Sequence, residues 1–324
     1  MCPDNRRRGL TLIEVFCVAA AVVLFIIFIG FLFPARVLSP RATCSSNLRG
    51  LMQAMTIYAE DYGGMPVHYF ETTSDPRDPA SHGVTWVGAM GSSESLRISQ
   101  ETSTSVSPRF SHPSRALFRL VIEGYATPGQ FICPSSGDTE DALRNFGPDA
   151  ADGVESPAMP GRNRFDFSGY NTLSYAAQLP FGPAGREPRS ARPNEKIDVR
   201  VALIADKGPY CADGGPGLSG TRTRRDKLSG LAPPNWSDAQ KALRAPWQDW
   251  RPFNSPNHGG EGQNIGYADG HAEFQKRPIA GAGHDNIYTL ARDITNPLGF
   301  INGYMPQAHE PLGPIVHTDS FLVP

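Results

Sequence analysis

The sequence lacks the short motifs by which common enzymes and zinc proteins are identified. It contains no Gly-x-Ser-x-Gly and no His-Glu-x-x-His segment, and its five cysteines include no Cys-x-x-Cys pair. Basic residues form no stripe, and 30 Lys and Arg residues are balanced by 32 Asp and Glu residues. Hydrolases, zinc fingers, thioredoxin-like proteins and nucleic-acid binders are therefore disfavoured, and we expect no catalytic residues.

Charge is nearly absent from residues 12–33, where Glu14 is the single charged side chain among 22 residues. About 20 apolar residues span the hydrocarbon core of a bilayer, so we predict a transmembrane helix over residues 10–33. An ionisable side chain in such a segment is costly and usually has a partner. Glu14 is therefore the first candidate functional residue.

Three ordinary interpretations of this N-terminus compete. A secretory signal peptide has an apolar region of roughly 7–15 residues and a small-x-small cleavage site, and this run is too long for it. A twin-arginine export signal is disfavoured by the carboxylate early in the apolar run. A plain single-pass anchor explains everything except Glu14 and the glycine, Gly9, that precedes the run.

The distribution of arginines predicts the orientation of the membrane span. Arg6, Arg7 and Arg8 precede it, whereas only Arg36 and Arg41 follow it closely. By the positive-inside rule, the N-terminus lies in the cytoplasm. We therefore expect a single-pass protein of the inner membrane with the bulk of the chain in the periplasm.

Residues 9–14, Gly-Leu-Thr-Leu-Ile-Glu, follow a short basic leader and open the apolar run. This segment resembles the processing site of type IV prepilins and type II secretion pseudopilins. The resemblance implies that a prepilin peptidase removes leader residues 1–9 by cutting between Gly9 and Leu10, and that Leu10 is then methylated. It also implies an assembly role for Glu14, which would neutralise the N-terminal amine of a neighbouring subunit. Leu10 departs from the family, which most often has Phe at this position.

A second resemblance lies near the C-terminus, in a module of about residues 254–290. His258 followed by Asp269-Gly270 resembles a module found behind prepilin leaders in planctomycete-type bacteria, where nine residues separate the His from the Asp-Gly pair. Ten residues separate His258 from Asp269 in this chain. The group is defined by its architecture, so the resemblance implies a place in the cell rather than a reaction.

The remaining pattern predicts an α+β, pilin-like fold. Residues 34–62 carry apolar side chains at three- and four-residue steps, which predicts an amphipathic continuation of the first helix. The 33 Gly and 30 Pro residues exceed the usual share and predict a head, residues 63–324, with an antiparallel sheet and long loops at 71–113 and 207–250. Asp269-Gly270 predicts a two-residue hairpin turn with Tyr267 opposite Ala272.

Three cysteines remain outside the leader and the membrane span, namely Cys44, Cys133 and Cys211. An extracytoplasmic location permits disulfides, and one bridge with one free thiol is the simplest count. We expect Cys44 to pair with Cys133, because both lie in ordered-looking segments whereas Cys211 lies in a Gly-rich one.

His258, Asp269 and His271 are candidate ligands for zinc or another transition metal, with Glu261 and Asp206 as further donors. Calcium is the other candidate, for which Asp269, Glu261 and loop carbonyls would supply some of the six to eight oxygens. The preferred alternative needs no metal: Asp269 forms a turn and His258 binds a loop backbone. No other cofactor is expected.

These observations predict a non-enzymatic, pilin-like structural subunit of a type II secretion or type IV pilus-like system. Its partners would be the prepilin peptidase and methyltransferase, other pilin-like subunits and the inner membrane. The alternative is a membrane-tethered extracytoplasmic binding module that is processed but does not polymerise.

Overall fold

The computed structural model describes residues 11–32, 39–63, 87, 90, 112–145, 156–161, 164, 166–178, 198–216, 224–281, 283–307, 314, 316 and 318–324. The predicted leader, Leu10 and nearly all of the predicted loop at 71–113 lie outside these residues. The chain forms two compact units, Met1–Ser39 and Pro40–Pro324, which are treated separately below.

The first unit contains helix α1, Leu12–Leu32. Its side chains are described as far as Phe25, and all of those from Leu12 onward are exposed. Within the described residues, no helix combines the length and the apolar character needed to cross a membrane. The membrane span over residues 10–33 remains a prediction from the sequence.

The second unit combines short helices with antiparallel strands. Its helices are α2 (Pro40–Tyr62), α3 (Ser114–Ile122), α4 (Ala239–Arg244), α5 (Trp247–Trp250) and α6 (Pro297–Asn302). Its strands are β1 (Arg144–Asn145), β2 (Ser156–Pro157), β3 (Tyr175–Gln178), β4 (Ala202–Asp206), β5 (Cys211–Pro216), β6 (Arg224–Leu228), β7 (Gln263–Tyr267), β8 (Ala272–Gln275), β9 (Ile279–Ala280), β10 (Asp285–Asn286) and β11 (Leu322–Val323). The predicted α+β class with an antiparallel sheet is confirmed.

Helix α2 buries the face that its apolar periodicity predicts. Pro40 opens the helix at a position where a missing N–H costs nothing, and Gly63 follows its end with φ +73°. The buried side chains are Cys44, Leu48, Leu51, Met52, Ala54, Met55 and Tyr58. The sequence predicts one kinked helix over residues 10–62; the structure assigns α1 and α2 within this range, and residues 33–38 between them lie outside the described residues.

The main sheet has five antiparallel strands in the order β11-β3-β4-β7-β8. Strand β4 lies at its centre and is buried along its whole length, as expected for the apolar run that ends in Asp206. Helix α2 covers one face, in contact with β4, β7 and β8. A second hydrophobic cluster that includes Ala205, Ile265 and Tyr288 covers the other face.

The β7–β8 hairpin closes with three residues rather than the two that Asp269-Gly270 predicts. The Tyr267 N–H donates to the His271 carbonyl at 2.9 Å, which leaves residues 268–270 as the loop. Gly270 takes φ +85°, the left-handed conformation of the last residue in a three-residue hairpin loop.

The extra loop residue shifts the register of the hairpin by one position. Gly266, rather than Tyr267, stands opposite Ala272, and Asn264 stands opposite Phe274. Gly266 faces α2, and side chains two residues apart on a strand share a face. Asn264 and Phe274 therefore lie on the side of the sheet that α2 covers.

Candidate functional site

A buried carboxylate, Asp206, lies where central strand β4 ends beneath α2. Its oxygens accept hydrogen bonds from Asn264 N at 2.6 Å, Asn264 Nδ2 at 3.1 Å and Asn257 Nδ2 at 3.2 Å. His258 Nε2 lies 3.1 Å from the same carboxylate. Asp206 is fully buried, so these donors replace the water that would otherwise solvate its charge.

His258 is held in place by a short helical turn, Pro256–His258. Ser255 caps the turn by accepting a hydrogen bond from Asn257 N, and Gly259 ends it with φ +65°. The Phe274 ring packs edge-on against the imidazole, with centroids 5.6 Å apart. The local sequence Ser-Pro-Asn-His-Gly thus fixes the direction in which the imidazole points.

Two tyrosines border the carboxylate and remain protonated. Burial, and then the charge of Asp206, raises the pKa of both Tyr175 and Tyr288 above the ordinary value. The Tyr288 hydroxyl donates to the backbone carbonyl of Asp206 at 2.7 Å. Neither phenol is poised to act as a base near neutral pH.

The Cys44–Cys133 disulfide lies beside the imidazole. It joins α2 to the segment after α3, with Cα atoms 5.2 Å apart and 89 residues of separation, and it is the pair expected from the sequence. Cys133 Sγ lies 3.7 Å from His258 Nε2. One ligand atom from each of Cys44, Cys133, Asp206 and His258 lies within 4.8 Å of every other, which makes this the one metal-compatible group among the described residues.

The metal set predicted from the sequence is not assembled. His258 precedes β7, whereas Asp269 and His271 lie in the turn at the other end of that strand. There Asp269 accepts a hydrogen bond from His271 N at 3.1 Å, and the His271 ring stacks on Tyr267 with centroids 4.4 Å apart. The turn interpretation accounts for Asp269 and His271. The His258 imidazole, predicted to bind a loop backbone, instead lies against the Asp206 carboxylate and Cys133 Sγ.

The predicted processing residues Gly9 and Leu10 lie outside the described residues. Glu14 is in the first turn of α1, where its Oε2 accepts hydrogen bonds from Thr11 N at 2.7 Å and Thr11 Oγ at 2.9 Å. The Glu14 N–H points back to Thr11 Oγ at 3.4 Å, which completes a capping box. Glu14 therefore has a hydrogen-bonding partner within its own chain, and its predicted role between subunits stays a prediction.

A second buried polar group adjoins the first. Lys207 Nζ donates to Asp138 at 2.9 Å and to the Tyr170 carbonyl at 3.0 Å. Burial, opposed by the charge of Asp138, lowers the pKa of Lys207. Ser174 donates to Asp138 at 2.7 Å, and its carbonyl accepts from Asn257, so the two groups form one network.

A third buried group has the connectivity of a hydrolase triad. His112 Nδ1 lies 2.8 Å from Ser114 Oγ, and its Nε2 lies 3.1 Å from Asp226. The Ser114 hydroxyl donates to Asp166 at 2.6 Å, and all four side chains are buried. Ser114 and His112 are at most 1% exposed, so a substrate does not reach this hydroxyl in the structure described.

Sequence reasoning missed Asn257 and Asn264, which hold the Asp206 carboxylate. The sequence does carry one signal for this site, which is a carboxylate directly after an apolar strand. A charge buried at such a position needs hydrogen-bond donors from neighbouring elements. Which strand lies beside β4 is a long-range property, and no local pattern specifies it.

One family comparison bears on this chain. A family model described as a protein of unknown function (DUF1559) matches residues 35–190, just under half of the chain. The matched range contains α2, Cys44, Cys133 and β3, and it excludes Glu14, Asp206 and His258. No curated protein and no solved structure matches the chain.

Proposed function

We propose that this chain is a processed, membrane-anchored, pilin-like structural subunit of a type II secretion or type IV pilus-like assembly, with no enzymatic activity. The observation that carries the proposal is an apolar helix, α1, whose only charged residue, Glu14, lies in its first turn. The Gly9-Leu10 motif directly before that helix supports the same conclusion.

The exposure of α1 supports an environment other than water. Leu12 is 89% exposed, Phe16 71% and Phe25 63%. An isolated helix with large apolar side chains on all sides is unstable in water and needs lipid or other helices around it. A bilayer and neighbouring subunits would supply both.

The architecture of the second unit supports the pilin-like part of the proposal. An amphipathic helix, α2, packs its apolar face on an antiparallel sheet, which is the arrangement that the resemblance implies. The family match begins at residue 35, close to the start of this helix, and the family itself carries no stated function.

Two roles for Glu14 make different demands on its charge. As part of a capping box it needs only a hydrogen-bond acceptor, and Gln serves as well as Glu at that position. Neutralising the Leu10 amine of a neighbouring subunit requires the carboxylate. Glu14→Gln therefore separates the two roles, and Thr11→Val removes the cap while leaving the charge.

The test uses the full chain in cells that contain a prepilin peptidase. Intact mass should place the mature N-terminus at Leu10, and Gly9→Val should retain the leader. Cys17 is free and exposed on α1, so a short bis-maleimide crosslinker reports contact between neighbouring helices, with Cys17→Ser as the blank. Wild type and Thr11→Val should form crosslinked dimers, and Glu14→Gln should lose them.

The outcomes separate the candidate functions. Retention of Met1 in wild type would refute processing. A correctly processed wild type without Cys17 crosslinks would favour the membrane-tethered binding module. Equal crosslinking of Glu14→Gln and wild type would refute charge pairing between subunits.

A further inference from the structure

We infer that the dithiol form of this chain binds one divalent transition metal of the zinc class through Cys44, Cys133, Asp206 and His258. These four residues differ from the set His258, Asp269 and His271 that the sequence suggests. They come from α2, the segment after α3, the end of β4 and the turn before β7, and all four are buried.

The distances match a tetrahedral site. Zinc bonds of about 2.0–2.3 Å to nitrogen, oxygen and sulfur place adjacent ligand atoms roughly 3.3–3.8 Å apart. His258 Nε2 is 3.1 Å from Asp206 Oδ2 and 3.7 Å from Cys133 Sγ, and all four ligand atoms lie within 4.8 Å of one another. The sulfurs need only separate from each other, which cleavage of the disulfide allows.

The conversion balances in electrons and protons. A dithiol reductant supplies two electrons and two protons to the Cys44–Cys133 bond, which breaks to give two thiols. Metal binding releases both thiol protons, because thiolate is the ligand form. A neutral His258 coordinates through Nε2 with its single proton on Nδ1; if that proton starts on Nε2, it moves to Nδ1 through solvent, and the imidazole neither gains nor loses a proton overall.

Hydrogen bonds from neighbouring groups would hold the ligands in a fixed orientation. Asn257 Nδ2 and Asn264 N fix the Asp206 carboxylate through hydrogen bonds of 3.2 and 2.6 Å, as ligating carboxylates require. Asn264 Oδ1 is a buried oxygen without a hydrogen-bond partner, on a side chain whose Nδ2 lies 3.0 Å from His258 Nε2.

The direct test is metal binding by the full chain in detergent, with Cys2, Cys17 and Cys211 all replaced by Ser to remove the other three thiols. The reduced protein should retain about one zinc ion per chain after desalting, and the oxidised protein should retain none. Cobalt added to the reduced protein should produce the intense near-ultraviolet absorption of thiolate-to-cobalt charge transfer. This spectrum requires no change at any proposed ligand.

Ligand variants then test the set. His258→Gln and Asp206→Asn should each weaken zinc binding at least tenfold in the reduced protein, and the exposed His271→Gln should not change it. Circular dichroism of each oxidised variant establishes that it folds. If Asp206→Asn fails to fold, the cobalt spectrum and His258→Gln remain decisive.

The inference would be overturned by a reduced chain that binds no zinc, by cobalt binding without a thiolate band, or by a His258→Gln protein with unchanged affinity. Equal binding by the oxidised protein would also overturn it, because the disulfide leaves no thiolates to coordinate. All of these results concern the second unit, so they stand apart from the tests of processing and assembly.

Discussion

Asp285 is the residue whose burial has the clearest thermodynamic consequence. It is fully buried, its Oδ2 accepts a hydrogen bond from Ser320 N at 2.6 Å, and its Oδ1 has no hydrogen-bond partner. Burial, and then repulsion from the nearby Asp319, raises the pKa of Asp285 well above its ordinary value. The folded protein therefore holds a proton that the unfolded chain releases near pH 4.

This difference predicts that the free energy of unfolding falls as pH rises above about 4, by up to about 1.4 kcal/mol per pH unit, until the folded pKa is passed. The sign follows because the folded state binds more protons in this window. Urea unfolding of the full chain between pH 4 and 8 should show the slope in wild type and a weaker slope in Asp285→Asn. Asp293→Asn is the control, since Asp293 is exposed and hydrogen bonds from Thr295 lower its pKa. An unchanged slope in Asp285→Asn would contradict the assignment.

At the scale of elements, the packing of α2 on the sheet depends on a missing side chain in β7. A Cβ on Gly266 would lie 2.8 Å from Ile204 Cγ2 and 3.1 Å from Met52 Cγ. These atoms belong to β4 and α2, so a methyl group at residue 266 would push the helix away from the sheet.

Gly266→Ala should therefore lower the free energy of unfolding by about 1–3 kcal/mol through overpacking. Gly50→Ala is the matched control on the same helix, α2. A Cβ on Gly50 meets only Gln130 Nε2, at 3.5 Å, and alanine favours the helix by about 0.5–1 kcal/mol. Denaturant unfolding should move the two variants in opposite directions. A Gly266→Ala protein as stable as wild type would show that α2 adjusts without cost.

The same elements show which parts of the fold can be predicted from local sequence patterns. The apolar periodicity predicts α2 and its buried face, and the apolar run predicts β4, because both signals are local. Strands β5 and β6 lie inside the predicted loop 207–250, since Cys211–Pro216 is rich in residues that disfavour strands and is held by its partner strand. Residues 128–131 form a 3₁₀ turn in which Gln130 helps to close a capping box, although the apolar residues of Phe131-Ile132 would by type alone favour a strand.

The candidate site also depends on contacts between distant segments, which local sequence patterns do not predict. The local contexts of Cys44 and Cys133 predict their pairing, and the motif around His258 makes it a candidate site residue. Asp206 and His258 meet only because β4 and β7 are neighbours in the sheet. Asp269 offers the same ligand chemistry as Asp206, yet its carboxylate is used in the hairpin turn, where it accepts a hydrogen bond from His271 N.

At the scale of the whole second unit, the buried cluster around Asp206 brings together residues that are far apart in the chain. The network around Asp206 includes residues from α2, β4, β7 and the turn before β7, and it links elements inside and outside the range of the family match. Buried charged and amide groups need all of their hydrogen bonds at once, so the loss of one group leaves its partners buried without a hydrogen bond. This makes the cluster a natural origin of cooperative unfolding.

The Cys44–Cys133 disulfide is the covalent link in the cluster around Asp206. Its removal should lower the free energy of unfolding more than any other change considered. Closing a loop of 89 residues restricts the unfolded chain and stabilises the folded one by about 4 kcal/mol. Cys44→Ala with Cys133→Ala should therefore reduce the free energy of unfolding by about that amount in urea with a chelator present. Cys211→Ala removes a buried free thiol without opening a loop, so it should lower the free energy of unfolding by clearly less.

Hydrogen exchange should show which element is destabilised in the double variant. Amides of α2 should exchange faster than those of β4, because the helix loses its covalent link while the strand keeps both neighbouring strands. A double variant within about 1 kcal/mol of wild type would mean that the packing of α2 alone holds the second unit together.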